Sequence, residues 1–381
     1  MSRPRVMFYV QHLMGIGHQR RAAVIARAMQ ARGAEVLYVS GGYPLTDLDT
    51  GAAAFLQLPP ARAADLRYAA LVDANGDPVT PAWQSARRDL LLSALREFRP
   101  DALLVETYPF GRGLLRFELL PFVEAACAQK PKPKVISSVR DILEPRARQK
   151  NQRIAALVNS HFDFVLVHAD PAIVDFGESF PLVRQIADKL RYTGFVVDAK
   201  NGEETCAHAS GEVVVSAGGG VVGEALLEAA LRAQPLSRLR DGPWRILVGP
   251  AVEEAAYQRL RALAAPGALV ERNRVDFASL LRRGRVSISQ AGYNTLLDLV
   301  QARIPAVVVP FTDGRHREQT TRAKLFERRG LVRVVAPDGL DPGKLAEAVD
   351  LAADSDLPPL GMLDLNGAEN AADIVLTALG D

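Results

Sequence analysis

The sequence predicts an α/β protein of two domains, each built on a parallel sheet in the Rossmann-like order of strand, helix, strand. The chain opens with a strand, a glycine-containing loop, a helix and a second strand over residues 5–40, which is a βαβ unit. A second series of this kind begins with a strand at Val213, after a polar stretch from Tyr192 to Gly211. A length of 381 residues suits two domains of ordinary size.

In the first half, strands are predicted at short apolar runs and helices where apolar residues recur every three or four positions. The predicted elements are strands at Arg5–Val10, Glu35–Ser40, Ala102–Val105, Val135–Ser138 and Phe164–Val167, and helices at Arg20–Arg32 and Trp83–Phe98. Ligands of parallel α/β sheets gather outside the carboxyl ends of the strands. The loops that follow these strands therefore hold the candidate site residues.

The second half gives the same kinds of pattern. The predicted elements are strands at Val213–Ser216, Arg245–Val248, Val286–Ser289, Ala306–Val309 and Leu331–Val335, and helices from Asn294 to before Pro305, at Thr320–Arg329, at Pro342–Ala352 and at Asn366–Leu379. The domain linker falls in the polar stretch 192–211. We predict domains at residues 1–198 and 199–365, followed by a terminal helix at 366–381.

Composition narrows the possible partners. The chain has 46 basic and 44 acidic residues, and a net charge of +2 gives no overall attraction to nucleic acid. Two cysteines, Cys127 and Cys206, cannot form a disulfide framework, and neither has the spacing of a metal ligand. The N-terminus lacks a signal-peptide pattern and no apolar run is long enough to span a membrane, so we expect a cytoplasmic protein.

The most informative stretch runs from the strand at Val286 to Gln319. The strand ends at a glycine turn, Gly292, and a helix follows at once. A helix N-terminus offers free N–H groups and a positive dipole end to an anion, and Asn294 and Thr295 would add side-chain donors. Asp298 lies one helical turn further on the same face, where a carboxylate can accept hydrogen bonds from a ribose diol. An ordinary capped helix is the alternative interpretation.

This spacing resembles the donor-nucleotide signature of GT-B glycosyltransferases, in particular the MurG-like branch. The matching residues are Gly292, Tyr293, Asn294, Thr295 and Asp298, and the pair Glu318 and Gln319, which such enzymes use on the donor sugar. The family usually has Glu at the ribose position, and often His or Arg near position 290, where this chain has Gln. The resemblance implies two Rossmann-like domains facing across a cleft, with the terminal helix crossing back to the first domain.

The resemblance also assigns the rest of a nucleotide-sugar site. Two sets of residues are implied: phosphate-binding Gly17, Gly218, Gly219, Gly220, Gly292, Asn294 and Thr295, and base-binding Asn273, Arg274, Val275 and Phe277. The glycines after the strand at Val213 also match a dinucleotide fingerprint. The strand that follows ends in Gly249 and Pro250, without the acidic residue that holds a ribose, which argues against NAD.

The loop after the first strand carries the candidate catalytic base. Gly15 and Gly17 let the backbone approach a ligand, and His18 stands beside them. An imidazole titrates near neutral pH and can take a proton from an attacking hydroxyl. A capping or packing histidine is the equal alternative from the residues alone. MurG-like transferases have a glycine-rich loop ending in Gly-His here, which favours the catalytic role.

Three further residues at strand ends are candidates for acceptor binding: Arg112, Arg140 and Asp141. Arginines could clamp a phosphate or carboxylate, whereas a local ion pair between Arg140 and Asp141 with a solvated Arg112 is the alternative. Residues 108–122 mix aromatic, leucine and arginine side chains, as a peripheral membrane contact would. A loop followed by a core helix explains them equally well.

The sequence therefore suggests an inverting, metal-independent glycosyltransferase that uses a nucleotide diphosphate sugar, with UDP the expected carrier, and no cofactor. The acceptor is unidentified, and an anionic or lipid-linked one would place the protein at the inner face of the membrane. One alternative is a nucleotide-sugar hydrolase, in which water replaces the acceptor. Another is a catalytically inactive nucleotide-sugar binding protein.

Overall fold

The computed structural model of the chain describes residues 3–65, 68–198, 211–218, 223–250, 252–274, 276–312, 317–356 and 361–380. The chain forms two compact units, Met1–Val197 with Leu363–Asp381, and Asp198–Met362. We call them the first and the second domain. The boundaries predicted from sequence stood at residues 198 and 365.

The first domain is built on seven parallel strands. Its strands are β1 (Arg5–Val10), β2 (Glu35–Ser40), β3 (Ala54–Gln57), β6 (Ala102–Glu106), β7 (Lys134–Arg140), β8 (Phe164–His168) and β9 (Leu190–Tyr192), with a small hairpin of β4 (Arg62–Ala63) and β5 (Leu71–Val72). The sheet order is β3-β2-β1-β6-β7-β8-β9. Its helices are α1 (Gly17–Ala31), α2 (Pro81–Phe98), α3 (Arg116–Ala128), α4 (Arg148–His161) and α11 (Gly367–Thr377).

Both faces of this sheet are covered, which explains the continuous apolar runs of its strands. Alternate residues of β1 point to opposite faces: Val6 and Phe8 pack in the core beneath α1 and α11, and Met7 and Tyr9 pack in the core beneath α2 and α3. All four side chains are fully buried. The sheet is therefore a rigid support for the loops at its carboxyl edge.

The terminal segment is part of the first domain. Phe195 N–H donates to the carbonyl of Asp364 at 2.7 Å, and Asn370 Nδ2 donates to the carbonyl of Thr193 at 2.8 Å. Helix α11 then packs against α1, and its residues Ala368, Ala371, Ala372 and Val375 are buried in the shared core. The chain thus returns to the first domain after completing the second.

The second domain has a six-stranded parallel sheet in the order β12-β11-β10-β13-β14-β15. Its strands are β10 (Val213–Ser216), β11 (Trp244–Val248), β12 (Ala268–Arg272), β13 (Val286–Ser289), β14 (Ala306–Val308) and β15 (Arg333–Val334). Its helices are α5 (Glu224–Ala233), α6 (Glu254–Leu263), α7 (Phe277–Arg283), α8 (Tyr293–Ala302), α9 (Glu318–Arg328) and α10 (Pro342–Ala353). Because the strands are parallel, all of their carboxyl ends open at one edge.

Two helices begin earlier than the sequence suggests. Helix α1 starts at Gly17 rather than Arg20, and α9 starts at Glu318 rather than Thr320. Neither N-cap residue, Ile16 or Arg317, makes a side-chain cap hydrogen bond, so the usual Ser, Thr, Asp or Asn signal is missing. His18 and Gln319 therefore lie in first helical turns and not in loops.

Four apolar side chains of the predicted membrane contact at residues 108–122 are buried within the domain, and the contact itself stays a prediction. Phe110, Leu115, Leu119 and Phe122 are all fully buried. They pack in the core of the first domain around α3, because apolar side chains that face a sheet are buried against it. Within the described ranges, no helix combines the length and the apolar character needed to cross a bilayer.

The close docking of the terminal helix gives a stability prediction. A Cβ atom on Gly367 would stand 2.6 Å from the carbonyl oxygens of Gly194 and Phe195, which are backbone atoms that cannot move aside cheaply. We expect Gly367→Ala to lower the free energy of unfolding by about 1–3 kcal/mol, measured by urea denaturation. Gly380→Ala in the same segment, where the new Cβ meets only Thr377 at 3.6 Å, is the control and should change stability little. Equal stability of both variants would contradict this docking.

Candidate functional site

The first candidate site lies at the N-terminus of α1, where His18 contacts the end of β6. His18 Nδ1 is 2.9 Å from Oε1 of Glu106, and its side chain is 19% exposed. An ionised carboxylate can only accept, so Nδ1 carries the proton in this contact. Nε2 is then left with a lone pair. This arrangement provides an imidazole that is oriented through Nδ1 and carries a lone pair on Nε2.

Glu106 is held as an anion although it is completely buried. Arg21, on the same helix as His18, forms a salt bridge to the same oxygen, Oε1, and its side chain is only 3% exposed. Burial by itself raises the pKa of Glu106, but Arg21 and His18 outweigh this effect and hold that pKa far below its ordinary value. The carboxylate is therefore ionised at neutral pH.

The same surroundings keep His18 neutral. Burial is the main cause, the positive charges of Arg112 and Arg21 act in the same direction, and Glu106 opposes them, so that the pKa of His18 falls to about 3. The positive end of the α1 dipole acts in the same direction. Neutral imidazole is the form that can accept a proton, so His18 is available as a base throughout the physiological pH range.

Arg112 provides an unsatisfied cation next to this pair. It lies in the loop after β6, in the left-handed region at φ 61°, and its Nε and Nη2 atoms are buried with no hydrogen-bond partner among the described residues. Burial lowers the pKa of Arg112, while the nearby Glu106 raises it. A buried guanidinium without an acceptor is costly unless an anion binds to it.

The other two predicted acceptor residues differ from each other. Arg140 ends β7 and is half-buried. Asp141 is fully buried, and its Oδ1 accepts a hydrogen bond from the Ile142 N–H at 2.8 Å. This hydrogen bond shapes the start of the loop, and the predicted acceptor-binding role of Asp141 stays a prediction.

In the second domain, the predicted donor residues meet at the carboxyl edge of the sheet. The loops after β10, β12, β13 and β14 carry them, and all of these strands are parallel. Gly218 adopts φ +73°, which favours glycine, and its N–H donates to Ser216 Oγ at 3.2 Å. The predicted residues Gly219, Gly220 and Val275 lie outside the described residues.

The N-terminus of α8 forms the centre of this edge. The N-cap residue is Gly292, which has no side chain to bond the N–H groups of the first turn. Asn294 is exposed, and Thr295 and Asp298 are half-buried on the following turn. This geometry suits an anion at the helix end with a hydroxyl-bearing group beside Asp298.

The pair Glu318 and Gln319 is anchored within the domain. Glu318 Oε2 is 3.4 Å from Arg322 Nη2, and Gln319 Oε1 accepts a hydrogen bond from Phe311 N–H at 3.0 Å. Arg322, which is 1% exposed, also donates to the carbonyl of Ala291 at 3.2 Å. It thus links this pair to the glycine turn before α8. Arg322 could not be recognised from the sequence, because its i,i+4 spacing from Glu318 resembles an ordinary surface pair.

The predicted base-binding residues lie between β12 and α7. Asn273 and Arg274 are exposed and Phe277 is half-buried. The guanidinium of Arg274 is held by Asp276 through two hydrogen bonds of 2.7 and 2.8 Å. The Asn273 N–H donates to the carbonyl of Val248 at 3.0 Å, which fixes the start of this loop.

The second domain matches a known family. Residues 213–375 match the glycosyltransferase family 28 C-terminal domain. An uncharacterized glycosyltransferase of Methanopyrus kandleri is 36% identical over 104 residues, which cover 27% of this chain and 30% of that protein. The UDP-N-acetylglucosamine–N-acetylmuramyl-(pentapeptide) pyrophosphoryl-undecaprenol N-acetylglucosamine transferase of Geobacillus kaustophilus is 25% identical over 181 residues, 45% of this chain and 50% of that protein. The chain spans at most half the length of the curated relatives it matches.

The fold of the whole chain also has a counterpart among solved structures. The MurG structure from Acinetobacter baumannii aligns with a TM-score of 0.59 at 16% identity, over 98% of this chain and 99% of that one. At this identity the likeness shows the fold alone. Together with the two parallel sheets, it confirms the predicted GT-B fold. The match to the family 28 domain and the Geobacillus relative confirm the resemblance to the MurG-like branch.

The electrostatics around His18 give a prediction that needs no substrate. Arg112→Met removes a nearby positive charge, so the charged imidazolium is less disfavoured and the pKa of His18 should rise by about one unit. An NMR pH titration of the His18 Cε1–H signal, assigned with His18→Asn, would measure it. Arg112→Lys keeps the charge and should leave the midpoint low. An unchanged midpoint in the methionine variant would contradict the proposed influence of Arg112.

Proposed function

We propose that this GT-B protein, with its glycosyltransferase family 28 C-terminal domain, transfers a sugar from a nucleoside diphosphate sugar to a hydroxyl acceptor. The single observation that carries the proposal is the contact between partly buried His18 and fully buried Glu106, because it leaves an oriented and neutral imidazole at the carboxyl edge of the first sheet. The contact with Glu106 uses only Nδ1 of His18, which leaves Nε2 for another role. It suits the removal of a proton from an attacking hydroxyl.

The proposed reaction is a single displacement. The acceptor oxygen attacks the anomeric carbon, its proton moves to Nε2 of His18, and the bond from the anomeric carbon to the diphosphate breaks. Glu106 stabilises the imidazolium that forms, since its carboxylate accepts the Nδ1 proton at 2.9 Å. Attack opposite the leaving group inverts the configuration.

In this proposal the second domain binds the donor. The N-terminus of α8 receives the diphosphate, Asp298 accepts hydrogen bonds from the ribose, and Glu318 and Gln319 bind the sugar. Negative charge grows on the diphosphate as it leaves, and the helix dipole together with the buried cation of Arg322 stabilises that charge. UDP is the proposed carrier, supported by the UDP-linked donor in the name of the Geobacillus relative.

We further propose an anionic acceptor. The orphaned nitrogens of Arg112 lie near His18, and a phosphate or carboxylate on the acceptor would satisfy them. The name of the Geobacillus relative specifies a pyrophosphoryl-undecaprenol substrate, which combines an anion with a lipid. An acceptor of this kind would bring the protein to a membrane surface. Release of UDP that is equally fast with and without acceptors would instead favour hydrolysis.

Asp298→Ala tests the donor site. Removal of charge-assisted hydrogen bonds to a ribose should cost about 1.5–3 kcal/mol, which weakens UDP binding by roughly 10- to 100-fold in isothermal titration calorimetry. Glu347→Ala, an exposed acidic residue on α10, is the matched control and should bind UDP as the parent does. Unaltered affinity in the Asp298 variant would remove the ribose assignment.

His18→Asn tests the base. We expect turnover with a nucleoside diphosphate sugar and an acceptor to fall by about 10²- to 10⁴-fold, because general base catalysis is lost, while UDP affinity stays within about twofold. His161→Asn on α4 replaces a histidine remote from Glu106 and should leave turnover intact. Substantial turnover in the His18 variant would exclude the proposed chemistry.

A further inference from the structure

A chain of buried hydrogen bonds continues behind Glu106. Its second oxygen, Oε2, is 2.7 Å from Ser138 Oγ, which is 2.9 Å from His168 Nε2, and His168 Nδ1 is 3.0 Å from Thr193 Oγ1. Glu106, Ser138, His168 and Thr193 are all fully buried. The chain runs across the carboxyl ends of β6, β7 and β8 and ends beside the terminal helix.

The donors in this chain can all point toward the carboxylate. Since Glu106 is ionised, Ser138 O–H donates to Oε2, and Ser138 Oγ then accepts from N–H at Nε2 of His168. His168 in this neutral tautomer has a bare Nδ1, which lies 3.0 Å from Thr193 Oγ1, and the one proton of that hydroxyl is shared between this nitrogen and the carbonyl of Gly194 at 2.8 Å. Burial is the main cause that lowers the pKa of His168 to about 3, and Arg21 adds to it, so this imidazole stays neutral. Hydrogen bonds aligned in this way strengthen one another.

We propose that Ser138 and His168 are positioning residues for the base, and that they act through Glu106. They fix the carboxylate so that Oε1 faces His18, and they place a hydrogen-bond donor on Oε2 that offsets part of its charge. This inference rests on the proposed function for its catalytic meaning. We call the hydrogen-bonded chain of Glu106, Ser138, His168 and Thr193 the relay. Its control of His18 can be tested without measuring turnover.

The far end of the relay is fixed by the terminal helix. Asn370 on α11 donates to the carbonyl of Thr193, and the Thr193 N–H donates to the carbonyl of Val167 in β8. Thr193 therefore has little freedom to turn away from His168. The relay connects the return of the chain into the first domain with the orientation of the imidazole at its other end.

If the network were only structural, breaking it would lower the stability of the protein and leave the pKa of His18 unchanged. The relay also predicts an electrostatic effect, because loss of the donor on Oε2 leaves more negative charge on Glu106 to favour the imidazolium. The charged groups that face His18 are Glu106 from β6, Arg21 from α1 and Arg112 from the loop after β6. Of these three groups, only Glu106 is hydrogen-bonded to Ser138 of the relay. A shift in the titration midpoint of His18 can therefore be attributed to Glu106.

The experiment compares Ser138→Ala and His168→Leu, which break the relay, with Ser138→Thr and His168→Gln, which keep its donors and acceptors. In the full-length protein without ligand, the NMR titration midpoint of His18 should move to higher pH in the first two variants and return toward the parent value in the other two. With substrate, kcat should fall about tenfold in the broken variants, the effect of one lost hydrogen bond to a charged group, while UDP affinity stays constant.

The outcomes separate the two proposals. An unmoved His18 midpoint in folded Ser138→Ala and His168→Leu, with only a lower melting temperature, would overturn the positioning role. If the His18 midpoint shifts in the broken variants but the parent protein turns over no nucleoside diphosphate sugar, the relay is supported and the proposed function is contradicted. If one broken variant does not fold, the other still decides the question, since each interrupts the chain at a different atom.

Discussion

The geometry of the first candidate site depends on one buried charge, the carboxylate of Glu106. A fully buried anion persists only if its neighbours replace the hydration it has lost, and here Arg21, His18 and Ser138 do so. These partners come from α1 and β7, so the charge fixes how the first helix sits on the sheet. The orientation and the neutral state of His18 then follow from the same interaction.

The candidate donor site of the second domain depends on backbone geometry, whereas the candidate site of the first domain depends on a buried charge. Parallel strands bring the described donor candidates of this domain to one sheet edge, where the first turn of α8 has no side-chain cap. Arg322 is the buried cation of this region, and it joins the turn at Ala291 to Glu318. A diphosphate would therefore meet fixed dipoles that need no rearrangement as charge develops.

Much of the fold could be predicted from sequence, because the central strands of both sheets are buried on both faces and consist of apolar runs. The strands at Val213 and Val286 were predicted residue for residue. The starts of α1 and α9 were missed because no side chain caps them. The partners of His18 were missed for a different reason. Glu106 pairs in register with Ser138 across two strands, and no local pattern encodes that pairing.

The most direct test of the central claim is the position of the proton on the His18 ring. Long-range ¹H–¹⁵N NMR correlations of the ligand-free protein at neutral pH distinguish the two tautomers. The account predicts a proton on Nδ1, held by Glu106, and an unprotonated Nε2. A proton on Nε2 would contradict it, because that nitrogen could then not accept a proton from any hydroxyl.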